Sequence, residues 1–166
     1  AFTIANSLES LGGSLDAFTY RDLTCFHARC LDEHLGVALD VLADMVQHAA
    51  LDPHEIEKEK TVVLEEIQNV EDTPDDLIHD LFAQSVWGTH PVGAPILGAT
   101  KTVRGFTTDQ IQHFLDRHYR PNRIILSASG NLDHEDLVTR AAELFQGATP
   151  SSEPWVRLPP RTSSSL

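Results

Sequence analysis

The sequence predicts an α+β domain in which a largely antiparallel sheet is covered by helices on one face. Two short β-rich runs flank Arg21 and Asp22, as expected for a hairpin. A third run, residues 123–130, is nearly all apolar and has the composition of a central strand. Most of the remaining sequence repeats its apolar residues at helical spacing.

The elements follow one another with clear start and stop signals. Gly12 and Gly13 end a first amphipathic helix. Asp52 and Pro53 provide an acidic cap and a first-turn proline for the longest helix. Thr107 forms a capping box with the glutamine three residues later. The predicted helices are, in order, about residues 1–10, 33–49, 53–70, 73–88, 107–118 and 133–145.

Three strands make a thin sheet, so we expect one or two further strands in sequence before Ala1. The chain opens without methionine inside a helical pattern, which indicates a processed or cut piece. The Pro/Ser-rich end predicts a linker. We therefore assign residues 1–147 to one domain, incomplete at its N-terminus, and residues 148–166 to a linker or tail.

Composition narrows the class of protein. With 166 residues, 41% of them hydrophobic, the chain is long enough to bury a real core. Its formal charge of -13 argues against nucleic acid and anionic membranes as partners. No apolar run approaches the roughly 18 residues of a membrane span. If residues 23–30 form a strand, the five-residue offset places Cys25 and Cys30 on opposite faces, which argues against a disulfide between them.

Two glutamates on the third helix stand out by their position. At about 100° per residue, Glu59 and Glu66 lie about 20° apart, beside the apolar seam, whereas Glu65 faces the opposite side. They are about 10.5 Å apart along the axis, so one could bind a metal ion while the other orients a neighbouring group. The alternative is that both are half-exposed and pair with nearby Lys or Arg. The seam itself consists of Ile56, Val63, Ile67 and Val70.

The order of several segments resembles the M16 (pitrilysin/insulinase-like) zinc peptidases, and most closely their bacterial and mitochondrial-processing-peptidase branch. The resemblance covers about residues 1–147. It rests on IANSLESLGGSLDAFTYRDLTCF, ALDVLADMV, DPHEIEKEKTVVLEEIQNVEDTPDD, HPVGAPILGATKTV and HYRPNRIILSASGNLDHEDL, in that order. It implies a half-domain of the LuxS/metallopeptidase-like fold.

The resemblance also implies a zinc site. The family binds zinc through an inverted H-x-x-E-H motif and a later glutamate, which corresponds to Glu66 here, with Glu59 as its supporting acid. H-x-x-E-H is not present in these residues and is expected before Ala1. A catalytic zinc needs three protein ligands and a base to activate water. We therefore expect the isolated chain to be inactive.

A peptide-binding strand is implied as well. The family pairs an extended substrate with the strand after Gly-Gly, which maps to Asp16, Ala17, Phe18 and Thr19. The family usually has asparagine where this chain has Asp16, and a carboxylate cannot donate a hydrogen bond. The alternative is that these four residues are simply the first strand of the hairpin.

Together these features predict a fragment of a zinc metalloendopeptidase that cleaves extended peptides. The zinc would be bound in the intact protein, and the partner would be the other half of that protein or a second subunit, as a homo- or heterodimer. One alternative is a non-catalytic M16-like subunit that binds peptides or plays a structural role. The other is a small acidic protein without peptidase ancestry. For the compartment we expect a bacterial cytoplasm, with the periplasm as the second choice.

Overall fold

A computed structural model of the chain describes residues 2–152 and residue 159. The described residues form two units. The first comprises residues 2–18, 25–50 and 113–152, and the second comprises residues 19–24 and 51–112. The linker predicted over residues 148–166 lies mostly outside the described residues.

Helices dominate the secondary structure, and one two-stranded antiparallel sheet accompanies them. The predicted α+β class is therefore confirmed. No helix in the described part of the chain combines the length and apolar character needed to cross a membrane. The elements are α1 Phe2–Glu9, β1 Ser14–Thr19, β2 Thr24–Arg29, α2 Leu35–Gln47, α3 Pro53–Asp72, α4 Pro74–Trp87, α5 Thr100–Gly105, α6 Thr108–His118 and α7 His134–Leu144.

In the first unit, a tight turn carries the chain from α1 into β1. The amide of Gly13 donates to the carbonyl of Leu8 over 2.9 Å, and Gly12 adopts a φ of 75°. A Cβ on Gly13 would lie only 2.8 Å from the carbonyl oxygen of Arg29, so only glycine fits this position. Helix α2 packs against α1 and α7. The buried apolar residues here are Leu8, Ala38, Leu39, Ala43 and Leu137.

In the second unit, α3 packs against α4 and α5 and buries Ile67. Its predicted start is confirmed, because the carboxylate of Asp52 accepts hydrogen bonds from the amides of His54 and Glu55. The capping box at Thr107 is confirmed as well. Helix α5 was not predicted, because six residues are too few for a periodic apolar pattern to show.

The prediction of a central strand over residues 123–130 is wrong. Residues 124–129 have no regular secondary structure, and the side chain of Ile125 is 94% exposed. The sheet of the described residues contains only β1 and β2, so no strand lies beside this segment. An apolar composition favours a strand but does not supply the partner whose backbone groups complete it.

Because this apolar segment is unpaired, we expect the isolated chain to self-associate through it. Sedimentation of the wild-type chain should show an apparent mass that rises with concentration above 18.4 kDa. Ile125→Lys should suppress the association, because a charge on an exposed strand edge blocks pairing. Val138→Lys, at another exposed apolar position of the same unit, should not. A wild-type monomer at every concentration would contradict this prediction.

Candidate metal and peptide-binding residues

The two lysines on α3 are both engaged by acids of the same helix. Lys58 Nζ lies 2.6 Å from Glu55 Oε1, and Lys60 Nζ lies 2.6 Å from Glu57 Oε1. The hydrogen bond and charge of Lys58 lower the pKa of Glu55. Both pairs span three residues, the spacing that brings side chains together on a helix. These pairs leave no lysine of α3 for Glu59 or Glu66.

Glu59 and Glu66 carry uncompensated carboxylates. Neither makes a hydrogen bond or an ion pair with another residue of the described chain. The alternative in which both pair with nearby Lys or Arg is therefore wrong for this helix. An acid without a local cation is available to a ligand from outside the helix.

The apolar seam of α3 lies where the sequence predicts it. Ile67 is buried, and Ile56, Val63 and Val70 are half-buried. The expectation that Glu66 lies at the core boundary while Glu65 is solvated is not met, because both are exposed, as is Glu59. Helix α3 packs against α4 and α5. The buried stripe is narrow as a result, and exposure does not distinguish Glu65 from Glu66.

The described residues do not by themselves form a zinc site. Among them, no group of three or more His, Cys, Asp or Glu side chains is arranged to hold a metal ion. A catalytic zinc needs three protein ligands. Glu66, which the sequence predicts as one of them, is exposed on α3. Glu59 lies on the same helix.

The four predicted peptide-binding residues all lie on β1 and are all exposed. The turn of the hairpin closes with a hydrogen bond from the Tyr20 amide to the Leu23 carbonyl, over 2.8 Å. Backbone groups of an antiparallel strand alternate between its two edges. If this pairing continues without a bulge, the amides and carbonyls of Ala17 and Thr19 point away from β2. Within the described chain no strand covers that outer edge.

The side chain of Asp16 binds a backbone group on this outer edge of β1. Its Oδ1 accepts a hydrogen bond from the amide of Ala17 over 2.8 Å. The carboxylate thus acts as an acceptor for its own strand, a role that needs no donor. Phe18 lies beside the imidazole of His27 on β2, with ring centroids 5.8 Å apart. These contacts fix the side chains next to the edge and leave the outward groups of Thr19 accessible.

Two family models match the sequence. The insulinase model of peptidase family M16 matches residues 1–100. The model described as the peptidase M16 inactive domain matches residues 105–165. Together they cover nearly the whole chain.

Curated relatives and solved structures agree with these matches. An uncharacterised zinc protease of Bacillus subtilis, YmxG, is 45% identical over 129 residues, which are 78% of this chain and 32% of the relative. An uncharacterised zinc protease of Streptomyces coelicolor is 36% identical over 154 residues, 93% of this chain and 34% of the relative. The crystal structure of an M16-like peptidase from Alicyclobacillus acidocaldarius superposes with a TM-score of 0.80 at 25% identity, covering 92% of this chain and 36% of that one. The chain thus spans about a third of the length of the relatives it matches.

From this geometry we expect the isolated chain not to retain zinc. After dialysis at neutral pH against metal-free buffer, atomic absorption should find no stoichiometric zinc, because one carboxylate does not form a tetrahedral site. Glu66→Gln should show the same zinc content as the wild type. Stoichiometric zinc in the wild type would contradict the prediction and indicate ligands among the nine histidines.

Proposed function

The chain belongs to the M16 peptidase family, and from this premise we propose that it is part of a zinc metalloendopeptidase that hydrolyses extended peptides. The observation that carries the proposal is the pair of exposed, uncompensated carboxylates on α3, in a chain whose curated relatives are named zinc proteases. Neither carboxylate stabilises the fold through an ion pair with the described residues.

In this proposal, Glu66 donates one oxygen ligand to the zinc ion of the intact protein, and Glu59 supports it. The remaining ligands and the general base come from sequence outside these 166 residues. The isolated chain is therefore inactive. A second half of the same protein or a partner subunit completes the peptidase, and a bacterial cytoplasm, suggested by the acidic composition, is its proposed compartment.

The peptide pairs with the outer edge of β1 in the same proposal. Main-chain groups at Ala17 and Thr19 are positioned to bond an added strand, which recognises peptide backbone rather than sequence. The amide of Ala17 must first leave the carboxylate of Asp16. Residues 16 and 18 carry the side chains that flank the bound peptide.

A second candidate function is a non-catalytic M16-like subunit. The match of residues 105–165 to the model of an inactive domain favours it. Such a subunit has no need of two uncompensated acids at positions 59 and 66, which favours the peptidase. Reading the intact sequence for H-x-x-E-H before Ala1 decides between the two, because only a peptidase needs that motif.

Substitutions of the three glutamates in the intact protein test the metal role directly. We expect Glu66→Gln to lose both zinc and peptidase activity, and Glu59→Gln to lower activity about 10–100-fold. Glu65→Gln is the matched control and should leave activity within a few-fold. Zinc content and peptide hydrolysis are the measurements.

Folding effects can be separated from functional ones in this series. All three side chains are exposed, so each substitution should change the free energy of unfolding by about 0.5 kcal/mol or less. Urea unfolding of the same variants checks this. Equal losses of activity at positions 65 and 66 would contradict the assignment of Glu66.

A further inference from the structure

One arginine joins three separate segments of the second unit. Arg21 lies in the turn between β1 and β2, and its Nη2 donates to Oδ1 of Asp80 on α4 over 2.8 Å. Its Nη1 donates to the carbonyl oxygen of Ala94, in the loop that follows α4. The two charged side chains are 24% and 22% exposed. A guanidinium suits this place because its fixed fork of donors can satisfy two acceptors at once.

The sequence around Asp80 makes this contact necessary. Residues 61–100 contain seven acids and no lysine or arginine. Asp80 is the one acid among them that is not exposed. A partly buried carboxylate costs free energy unless a cation or hydrogen-bond donors compensate it. Arg21, 59 residues away in sequence, supplies that compensation.

The contact also reaches the end of the proposed peptide-pairing strand. Strand β1 ends at Thr19, two residues before Arg21. Helix α4, which carries Asp80, packs directly against α3, which carries Glu66. Thr19, Arg21, Asp80 and Glu66 all belong to the second unit. A single ion pair therefore ties the Thr19 end of β1 to α4, which packs against the helix that carries Glu66.

We propose that Arg21 is a positioning residue, which through Asp80 and Ala94 fixes the turn of the hairpin and the Thr19 end of β1 and so holds the end of the edge with which a bound peptide pairs. The inference rests on the proposed peptidase function. Arg21 contacts neither the metal nor the peptide in this account. Its effect reaches the substrate through the strand that it anchors.

The anchor itself can be tested in the 166-residue chain, without any activity. Amide exchange at Tyr20, whose N–H is bonded to Leu23, should accelerate about tenfold or more in Arg21→Ala and in Asp80→Ala. Arg104→Ala removes an exposed arginine of the same unit and should leave that rate unchanged. The double variant Arg21→Asp/Asp80→Arg exchanges the two charges and should restore part of the protection of the Tyr20 amide against exchange. Unchanged exchange in both single variants would overturn the proposal.

Kinetics of the intact peptidase test the positioning role. Arg21→Ala should raise KM for an extended peptide about tenfold while kcat stays within a few-fold and zinc content is unchanged, because a loosened strand weakens binding in the ground and transition states alike. A merely structural role would lower kcat through loss of folded enzyme and leave KM unchanged, and that result would overturn the proposal. An intact wild type that cleaves no peptide would instead refute the proposed peptidase function. The two failures are therefore distinguishable.

Discussion

The structure depends most on the pairing of strand backbones. A strand is stable only where its amides and carbonyls meet those of a neighbour, and in the described chain that condition holds between β1 and β2 alone. It fails for residues 124–129, whose apolar composition is that of a strand but which lie unpaired, with Ile125 almost fully exposed. The outer edge of β1 is unpaired as well. The need for a neighbouring strand is thus unmet in two places of the described chain: the apolar segment at residues 124–129 and the edge of β1 that is proposed to bind a peptide.

Charge compensation identifies acids that have a structural partner, but it does not separate Glu66 from Glu65, which also lacks an ion pair within the described chain. Glu55 and Glu57 pair with the lysines of their own helix, and Asp80 pairs with an arginine distant in sequence. Glu59 and Glu66 have no such partner in the described chain, although they lie on the same helix as two lysines. In a chain with a formal charge of -13, an uncompensated acid is common, so exposure alone identifies nothing. The role proposed for Glu66 rests on its helical position and on the family membership of the chain.

Family membership and geometry contribute different parts of the functional account. The matches to M16 models and to zinc proteases identify the class of protein, but the chain spans only about a third of those relatives. The geometry shows two exposed glutamates on α3 and a strand edge that no described strand covers. The bond between Asp16 and the amide of Ala17 belongs to the geometry alone, and under the proposed function a peptide would have to displace it to pair at Ala17.

The sequence by itself determined the features that arise within a few residues of the chain. Six helices, their caps at Asp52 and Thr107, the hairpin and the glycine turn before it were all predictable, because caps, turns and helical periodicity are local. The angular position of Glu66 on α3 follows from the same periodicity. Tertiary structure alone decided whether the run at residues 124–129 would find a partner strand, how far Glu66 would be exposed, and that Arg21 would meet Asp80. Each of these outcomes depends on contacts between residues far apart in sequence, which no local pattern encodes.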